Sequence, residues 1–338
     1  MPLFKCSKEE LNLGAVLLGG QSFRWKKLVE IDSENVAPSS DGVFFGVAKH
    51  RVWKVWRETD EQLGYEVLAK FSKARGDDLD LNIELAPLYK FWTENDKHFA
   101  HLMANHQTKL EGIRVLGQDP LETVFVFICS ANNHIRRITN MVETLCKLYG
   151  ESTNVSCLNG SKTFYDFADP KRMTDDPALE TVLRENNGEQ YLENLSKGTY
   201  EDAVEELQQI RGIGAKASLF TLFDCICLMG LRMHSVVPID THTLQITAEN
   251  YLKTLSQRKF LRGKDRQQIA AVWQEIFGPY AGWAQAVLFT SHLRQMNIRQ
   301  PAKKRPSKIK TQNVEKSDPN KFGICANLVY HEASEPVF

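Results

Sequence analysis

Long hydrophobic runs are missing from this 338-residue chain, and so is any surplus of charge. Its most apolar stretch, 217–231, is interrupted by Asp224 and falls short of the roughly 20 apolar residues a membrane-crossing helix needs, so no span is expected. Lysine plus arginine number 42, aspartate plus glutamate also 42, and the formal net charge is zero. A global positive field is thereby excluded, and any grip on nucleic acid must be local. The cysteines are few and odd in number, seven along the chain, which points to a reducing compartment and not to a disulfide framework. Cys225 and Cys227 stand one residue too close for a CxxC pair, and no four-cysteine cluster exists, so neither an iron–sulfur cluster nor zinc is expected. The opening Met-Pro-Leu-Phe-Lys-Cys-Ser-Lys has no signal-peptide or transit-peptide character. At 42% hydrophobic and 25% charged the composition is that of a soluble globular protein, long enough for about two domains.

The first hundred residues read as α+β. Val43-Phe-Phe-Gly-Val47 and Val52-Trp-Lys-Val-Trp56, separated by Ala-Lys-His-Arg, have the β-branched and aromatic content of a short hairpin. From Asp119 onward helices dominate. Asp119-Pro-Leu-Glu122 places a cap before a proline at the first helical position, opening an apolar helix through Cys129. Ile135, Ile138, Val142 and Leu145 mark the next helix, closed at Gly150. Beyond residue 300 the basic run Lys303-Lys-Arg-Pro-Ser-Lys-Ile-Lys310 opens a polar tail with little apolar periodicity; a solvated tail and a nuclear-import or phosphate-contacting segment both fit it.

The most informative stretch is Ile210-Arg-Gly-Ile-Gly-Ala-Lys216 with Val237-Pro-Ile-Asp-Thr-His242 behind it. Thr199-Tyr-Glu-Asp202 is a capping-box pattern, and Ala203, Val204, Leu207 and Ile210 form one apolar stripe, so a helix leads into the glycines. Gly212-Ile-Gly214 permits a tight hairpin whose exposed backbone N–H groups, beside a second helix start, can dock an anion. A plain helical corner without a ligand fits the glycines alone equally well. Lys216 then stands where a cation opposes the helix dipole. Nucleophilic use of its amine at neutral pH requires a shift of roughly three units from ~10.4, about 4 kcal/mol, which burial could supply. Residues 217–231 are apolar nearly all round and read as a helix embedded in a core. Asp240 precedes Thr-His-Thr-Leu, the position of an N-cap. Gln285 is a lone amide in the apolar helix 278–293, where it needs partners. Phe289 is one turn further on the same face, equally suited to cover a base plane or to pack the core.

These segments, together with Gly19-Gly-Gln-Ser-Phe-Arg-Trp25, Tyr89-Lys-Phe-Trp-Thr-Glu-Asn-Asp96, Ile128-Cys-Ser-Ala-Asn-Asn-His-Ile-Arg-Arg137 and Gly278-Pro-Tyr-Ala-Gly-Trp-Ala-Gln-Ala-Val-Leu-Phe289, closely resemble the eukaryotic 8-oxoguanine DNA glycosylase/AP lyase family of the helix-hairpin-helix superfamily. The resemblance covers most of residues 1–300. It implies an α+β fold in which a small TBP-like α+β domain, 1–112, precedes a mostly helical domain, 113–300, with the helix-hairpin-helix at 199–229 and a basic tail at 301–338. It implies excision of 8-oxoguanine opposite cytosine with strand cleavage through a lysine imine: Lys216 as nucleophile and Asp240 as its carboxylate partner. Base recognition falls to Gly20, whose carbonyl reads the N7 proton, and to Cys225, Met229, Gln285 and Phe289. DNA contacts fall to Asn132, Arg137, Gly212, Gly214 and His242. No cofactor is implied beyond a structural K+ or Na+ on the carbonyls of Gln208, Ile210 and Ile213. The implied partner is damaged double-stranded DNA, bound by a monomer in the nucleus and also the mitochondrion.

Two departures stand against that pattern. A Gly-Tyr-Arg-containing segment that wedges into the duplex has no counterpart in residues 170–200. The interval from Lys216 to Asp240 is about five residues longer than in the family, the excess lying within 217–223; in one continuous helix this is about 7.5 Å of advance and roughly 140° of rotation, which would take Cys225 off the pocket side. The alternative reading is therefore an altered splice form or gene-model variant, a helix-hairpin-helix DNA-binding protein with impaired or no turnover, and a third is a related glycosylase for another lesion.

Overall fold

The structure, a computed structural model, describes residues 2–28, 42–74, 83–130, 133–157, 160–173, 188–208, 220–255 and 263–299. It is α+β, with a small antiparallel sheet ahead of a helical region. Strands β1 (Leu3–Lys5), β2 (Trp25–Lys27), β3 (Val43–Ala48), β4 (Arg51–Thr59) and β5 (Gln62–Lys70) pair in the order β1-β5-β4-β3-β2. The expected hairpin is β3–β4, with Val47 opposite Val52. Its two turn residues, Lys49 and His50, both take positive φ, 47° and 57°. That is the turn whose twist matches paired strands. One face of the sheet is covered by α1 (Leu13–Leu18), whose Leu13 and Leu17 pack with Phe44 and Leu63.

Helices α2 (Leu85–Asn95) and α3 (Lys97–Leu110) put Leu85, Tyr89, Trp92 and Phe99 into the same core as residues from the C-terminal helices. The Trp92 indole donates to the Phe277 carbonyl at 3.1 Å. The main core is completed by α4 (Pro120–Ser130), α5 (Ile135–Tyr149), α6 (Pro170–Met173), α7 (Gly188–Leu195), α8 (Tyr200–Gln208), α9 (Phe220–Cys225), α10 (Thr241–Asn250), α11 (Gly263–Phe277) and α12 (Ala281–Arg299). Local signals act as read. Asp119 accepts from the Glu122 N–H at 2.8 Å, and Thr199 and Asp202 cap one another, the Asp202 carboxylate accepting from the Thr199 hydroxyl at 2.7 Å. Ala203, Val204 and Leu207 are buried along one face of α8.

Two features were not expected. After Cys225 the helix widens into a π turn, Ile226–Gly230. Between α5 and α6 lies a hairpin, β6 (Ser152–Cys157) and β7 (Gly160–Tyr165), whose Val155 packs with Val47, Val52 and Phe71 of the first sheet region.

Ionic contacts fasten the sheet region to the helices. Arg24 meets Glu122 at 3.1 Å with both side chains buried, and it also donates to the Tyr165 carbonyl. Removing one partner of a buried pair strands the other charge, at about 3–5 kcal/mol. Arg24→Ala should lower unfolding free energy by that amount in chemical denaturation; a loss under about 1 kcal/mol would show that Glu122 is satisfied without it.

His50 Nδ1 lies 2.6 Å from the Asp166 carboxylate, and this hydrogen bond raises the imidazole pKa above its ordinary value. A raised folded-state pKa contributes stability that is complete below the unfolded value, ~6.5, and fades as pH climbs through the folded one. His50→Gln should flatten that part of the stability profile. Denaturation midpoints measured from pH 5 to 9 check this, and parallel profiles for the two proteins would remove His50 as the source.

Candidate active site

Asp240 arrives at the start of α10 with extended backbone, φ −95° and ψ −174°, and its carboxylate accepts from the Thr243 N–H at 2.7 Å. A carboxylate here satisfies an orphan donor and faces the positive end of the helix dipole. Thr243, fully buried, receives a second bond on its hydroxyl oxygen from the Gln285 amide at 2.9 Å. Gln285 lies on α12 and is 6% exposed, so part of the hydrogen bonding that its burial demands is met inside the protein. One turn on, Phe289 meets the edge of His242 at 5.5 Å between ring centroids, and His292 meets His242 at 5.3 Å. Asp240, His242, Gln285 and Phe289, read from separate segments of the sequence, thus converge where α10 crosses α12.

A second group forms around Gly20. Its φ of +89° lies in the left-handed region, which glycine enters without strain, and a side chain there would meet Ile135 Cδ1 at 3.6 Å. The following residue is locked in place: Gln21 donates to the Arg114 carbonyl at 3.0 Å and accepts from the Leu116 N–H at 2.9 Å. Gln118 then ties this loop to the π turn. Its amide donates to the Gln21 carbonyl at 2.7 Å and to the Met229 sulfur at 3.5 Å, and its N–H donates to the Met229 carbonyl at 3.0 Å. Gly20 and Met229, more than 200 residues apart in sequence, therefore share one scaffold.

Cys225 ends α9. Burial pushes its thiol well above the ordinary range, and the charges of Asp224 and Asp240 push it further. Such a thiol stays protonated at neutral pH, suited to packing and not to attack or metal binding. Cys227 is likewise pushed up, to about 12, by burial, and among the described residues no group of three metal-ligating side chains comes together. The longer interval between Lys216 and Asp240 begins in residues 216–219, which lie outside the described residues; among the described ones, Asp240 is a charge that bears on the Cys225 thiol. Thr221, five residues after Lys216, holds the Asp240 segment by donating to the Ile239 carbonyl at 2.6 Å.

Arg137 is half-buried in the first turn of α5. Gln208 is the exposed last residue of α8. Asn132, Ile210, Gly212, Ile213, Gly214 and Lys216 lie outside the described residues. Sequence reasoning missed Thr243, Gln118 and the role of Asp224. For Asp224 a signal existed, since a carboxylate in an apolar helix must have partners.

The structure is similar to the 8-oxoguanine glycosylase/lyase of Clostridium acetobutylicum in complex with double-stranded DNA carrying cytosine opposite 8-oxoG, with TM-score 0.64 and 24% identity over 85% of this chain and 93% of that one. The chain thus shares the fold of that glycosylase/lyase. Residues 3–124 match the family described as 8-oxoguanine DNA glycosylase, N-terminal domain. The chain is 30% identical to the N-glycosylase/DNA lyase of Saccharomyces cerevisiae over 85% of each protein. It is 31% identical to N-glycosylase/DNA lyase OGG1 of Arabidopsis thaliana over 86% of this chain and 79% of that one. The chain belongs to the N-glycosylase/DNA lyase family.

The cap and the chemistry proposed for Asp240 can be separated. Asparagine caps a helix about as well as aspartate, whereas alanine costs ~1 kcal/mol. Asp240→Asn should keep stability within about 0.5 kcal/mol while lesion excision falls roughly 10²-fold, as when a transition-state electrostatic partner is lost. Thermal melts beside single-turnover excision test this; an Asp240→Asn chain that keeps the wild-type rate as well as the wild-type stability, with Asp240→Ala alone losing stability, would leave Asp240 a cap alone.

Proposed function

We propose that the chain excises 8-oxoguanine opposite cytosine from duplex DNA and then cleaves the strand through a lysine imine. The observation that carries this reading is the convergence of Asp240, His242, Gln285 and Phe289 at one helix crossing, in a chain whose relatives are named N-glycosylase/DNA lyases. The oxidised base leaves the stack. Gln285 and Phe289 offer it an amide and a ring face, with Cys225 opposite, Met229 lining the pocket and the Gly20 carbonyl at its N7 edge. The Lys216 amine attacks C1′ as the glycosidic bond breaks, and the base departs with the bonding electrons and takes up a proton. Asp240 stabilises the cationic sugar and assists lysine deprotonation. The C1′–O4′ bond then opens as the lysine nitrogen gives up a proton and O4′ takes one up, and the resulting imine acidifies C2′; loss of that proton expels the 3′ phosphate, and the strand is cut.

The DNA grip in this reading is local: backbone N–H groups at Gly212 and Gly214 and the side chain of His242 on phosphate, Asn132 and Arg137 toward the orphaned cytosine. A K+ or Na+ fits the chemistry of carbonyls at a helix end, which lack intrahelical donors. Gln208, with Ile210 and Ile213, would hold it and set positive charge beside the phosphate. The protein acts as a monomer in the nucleus, and also the mitochondrion, with the basic run at 303–310 as the import signal.

Borohydride trapping tests the chemistry on duplexes carrying 8-oxoguanine opposite cytosine, an abasic site, or no lesion. A covalent adduct on the lesion duplex, lost in Lys216→Ala, is expected. Trapping on abasic DNA alone would mean that base extrusion has failed, and no adduct on either would favour a DNA-binding scaffold without turnover.

A further inference from the structure

We infer that Asp224 is a positioning residue for Asp240, acting through the Ile239 peptide. This rests on the role proposed for Asp240. One oxygen of the Asp224 carboxylate accepts from the Tyr200 hydroxyl at 2.6 Å. The other accepts from the Arg266 guanidinium at 2.6 Å and from the Ile239 N–H at 3.3 Å. The Ile239 carbonyl is held from the other side, by the Thr221 hydroxyl at 2.6 Å and by Arg266 at 3.2 Å. Both polar groups of the residue immediately before Asp240 are therefore fixed by side chains, two from α9 and one from α11.

Asp224 itself is 4% exposed and Ile239 is also 4% exposed. A carboxylate so placed carries a large desolvation cost and persists only when its lone pairs are filled. Here they are filled by three donors from three elements: α8, the segment leading to Asp240, and α11. Arg266 is in turn stacked over the Phe220 ring at 5.6 Å, so the guanidinium has little freedom to release Ile239. Burial keeps the Tyr200 phenol protonated, its pKa pushed above the ordinary value, so it serves as a donor throughout the neutral range. What this network sets is the starting point of Asp240, whose own carboxylate is bonded to the turn it caps. The site chemistry needs the carboxylate within fractions of an ångström of a developing charge, and misplacement by about 1 Å can cost 10²-fold in rate.

The experiment uses the full chain and the 8-oxoguanine:cytosine duplex, with single-turnover excision rate and duplex affinity measured side by side for wild type, Asp224→Asn and Asp240→Asn. Asp224→Asn keeps the side-chain size and removes the charge that holds Arg266. The expected result is a fall in rate of about 10²-fold with duplex affinity changed less than about twofold, the split that loss of a transition-state interaction gives. An unchanged rate, or a rate and an affinity that fall together, overturns the inference. Where Asp224→Asn does not fold, Tyr200→Phe removes one hydroxyl from the network and should show the same split at roughly tenfold. A wild-type chain that does not turn over, or an Asp240→Asn chain at the wild-type rate, instead sinks the reading of the site on which the inference rests.

Discussion

The register between α9 and the segment entering α10 is the constraint on which the rest of the site depends, and one buried carboxylate holds it. Asp224 is bonded to Tyr200, Arg266 and Ile239, so a slip of α9 along its axis would break three bonds inside a core where none can be replaced by water. Everything C-terminal follows from that anchor. Asp240 caps α10, Thr243 in the first turn of α10 receives Gln285, and α12 is thereby set so that Phe289 faces His242. The π turn after Cys225 belongs to the same constraint. It places Met229 where its carbonyl and sulfur both meet Gln118, joining the Gly20 loop to the helices that carry the carboxylate.

Much of this was legible in the residues because the signals were local. A proline behind Asp119, a paired Thr199 and Asp202, and β-branched strands around Lys49-His50 each determine a turn or a helix start within four residues, and each forms as read. The lone amide at Gln285 advertised a buried polar contact through its apolar neighbours. Its partner Thr243 did not, because threonine at the third position of a helix looks like surface filler until another helix crosses it. The β6–β7 hairpin stayed hidden for a related reason. Ser-Thr-Asn-Val-Ser-Cys has one strongly apolar residue, and Val155 acquires a reason to be a strand only by packing on Val47, Val52 and Phe71, more than 80 residues earlier.

The π turn was illegible for a different cause. Residues 217–231 carry no polar face by which helical phase could be read, so periodicity cannot distinguish 3.6 residues per turn from a wider coil. Phase is set instead by tertiary contacts. Gly230 packs against α4, where an added Cβ would stand 3.2 Å from Thr123 and 3.3 Å from the Pro120 backbone, while the Met233 N–H reaches the Cys227 carbonyl at 2.9 Å. The count from Lys216 to Cys225 runs through residues 216–219, which lie outside the described residues. From Phe220 onward, Thr221 and Asp224 tie this stretch to Ile239.

The balance of charge bears on how such a site can work. With 42 basic and 42 acidic side chains the protein does not accumulate DNA by long-range attraction, and phosphate contacts must come from a few oriented groups. The same economy extends inward. Two largely buried ion pairs, Arg24 with Glu122 and Asp224 with Arg266, each join elements distant in sequence. Pairs of this kind add little net stability over apolar packing, but they admit one register only. Their value in this fold is geometric: Arg24 with Glu122 fixes the stretch after Gly20 against α4, and Asp224 with Arg266 fixes the segment entering Asp240. In the function proposed above, preorganisation of that sort would let a site with so little net positive charge discriminate a base by a single proton at N7, since the donors and acceptors would already be in position when the nucleotide enters.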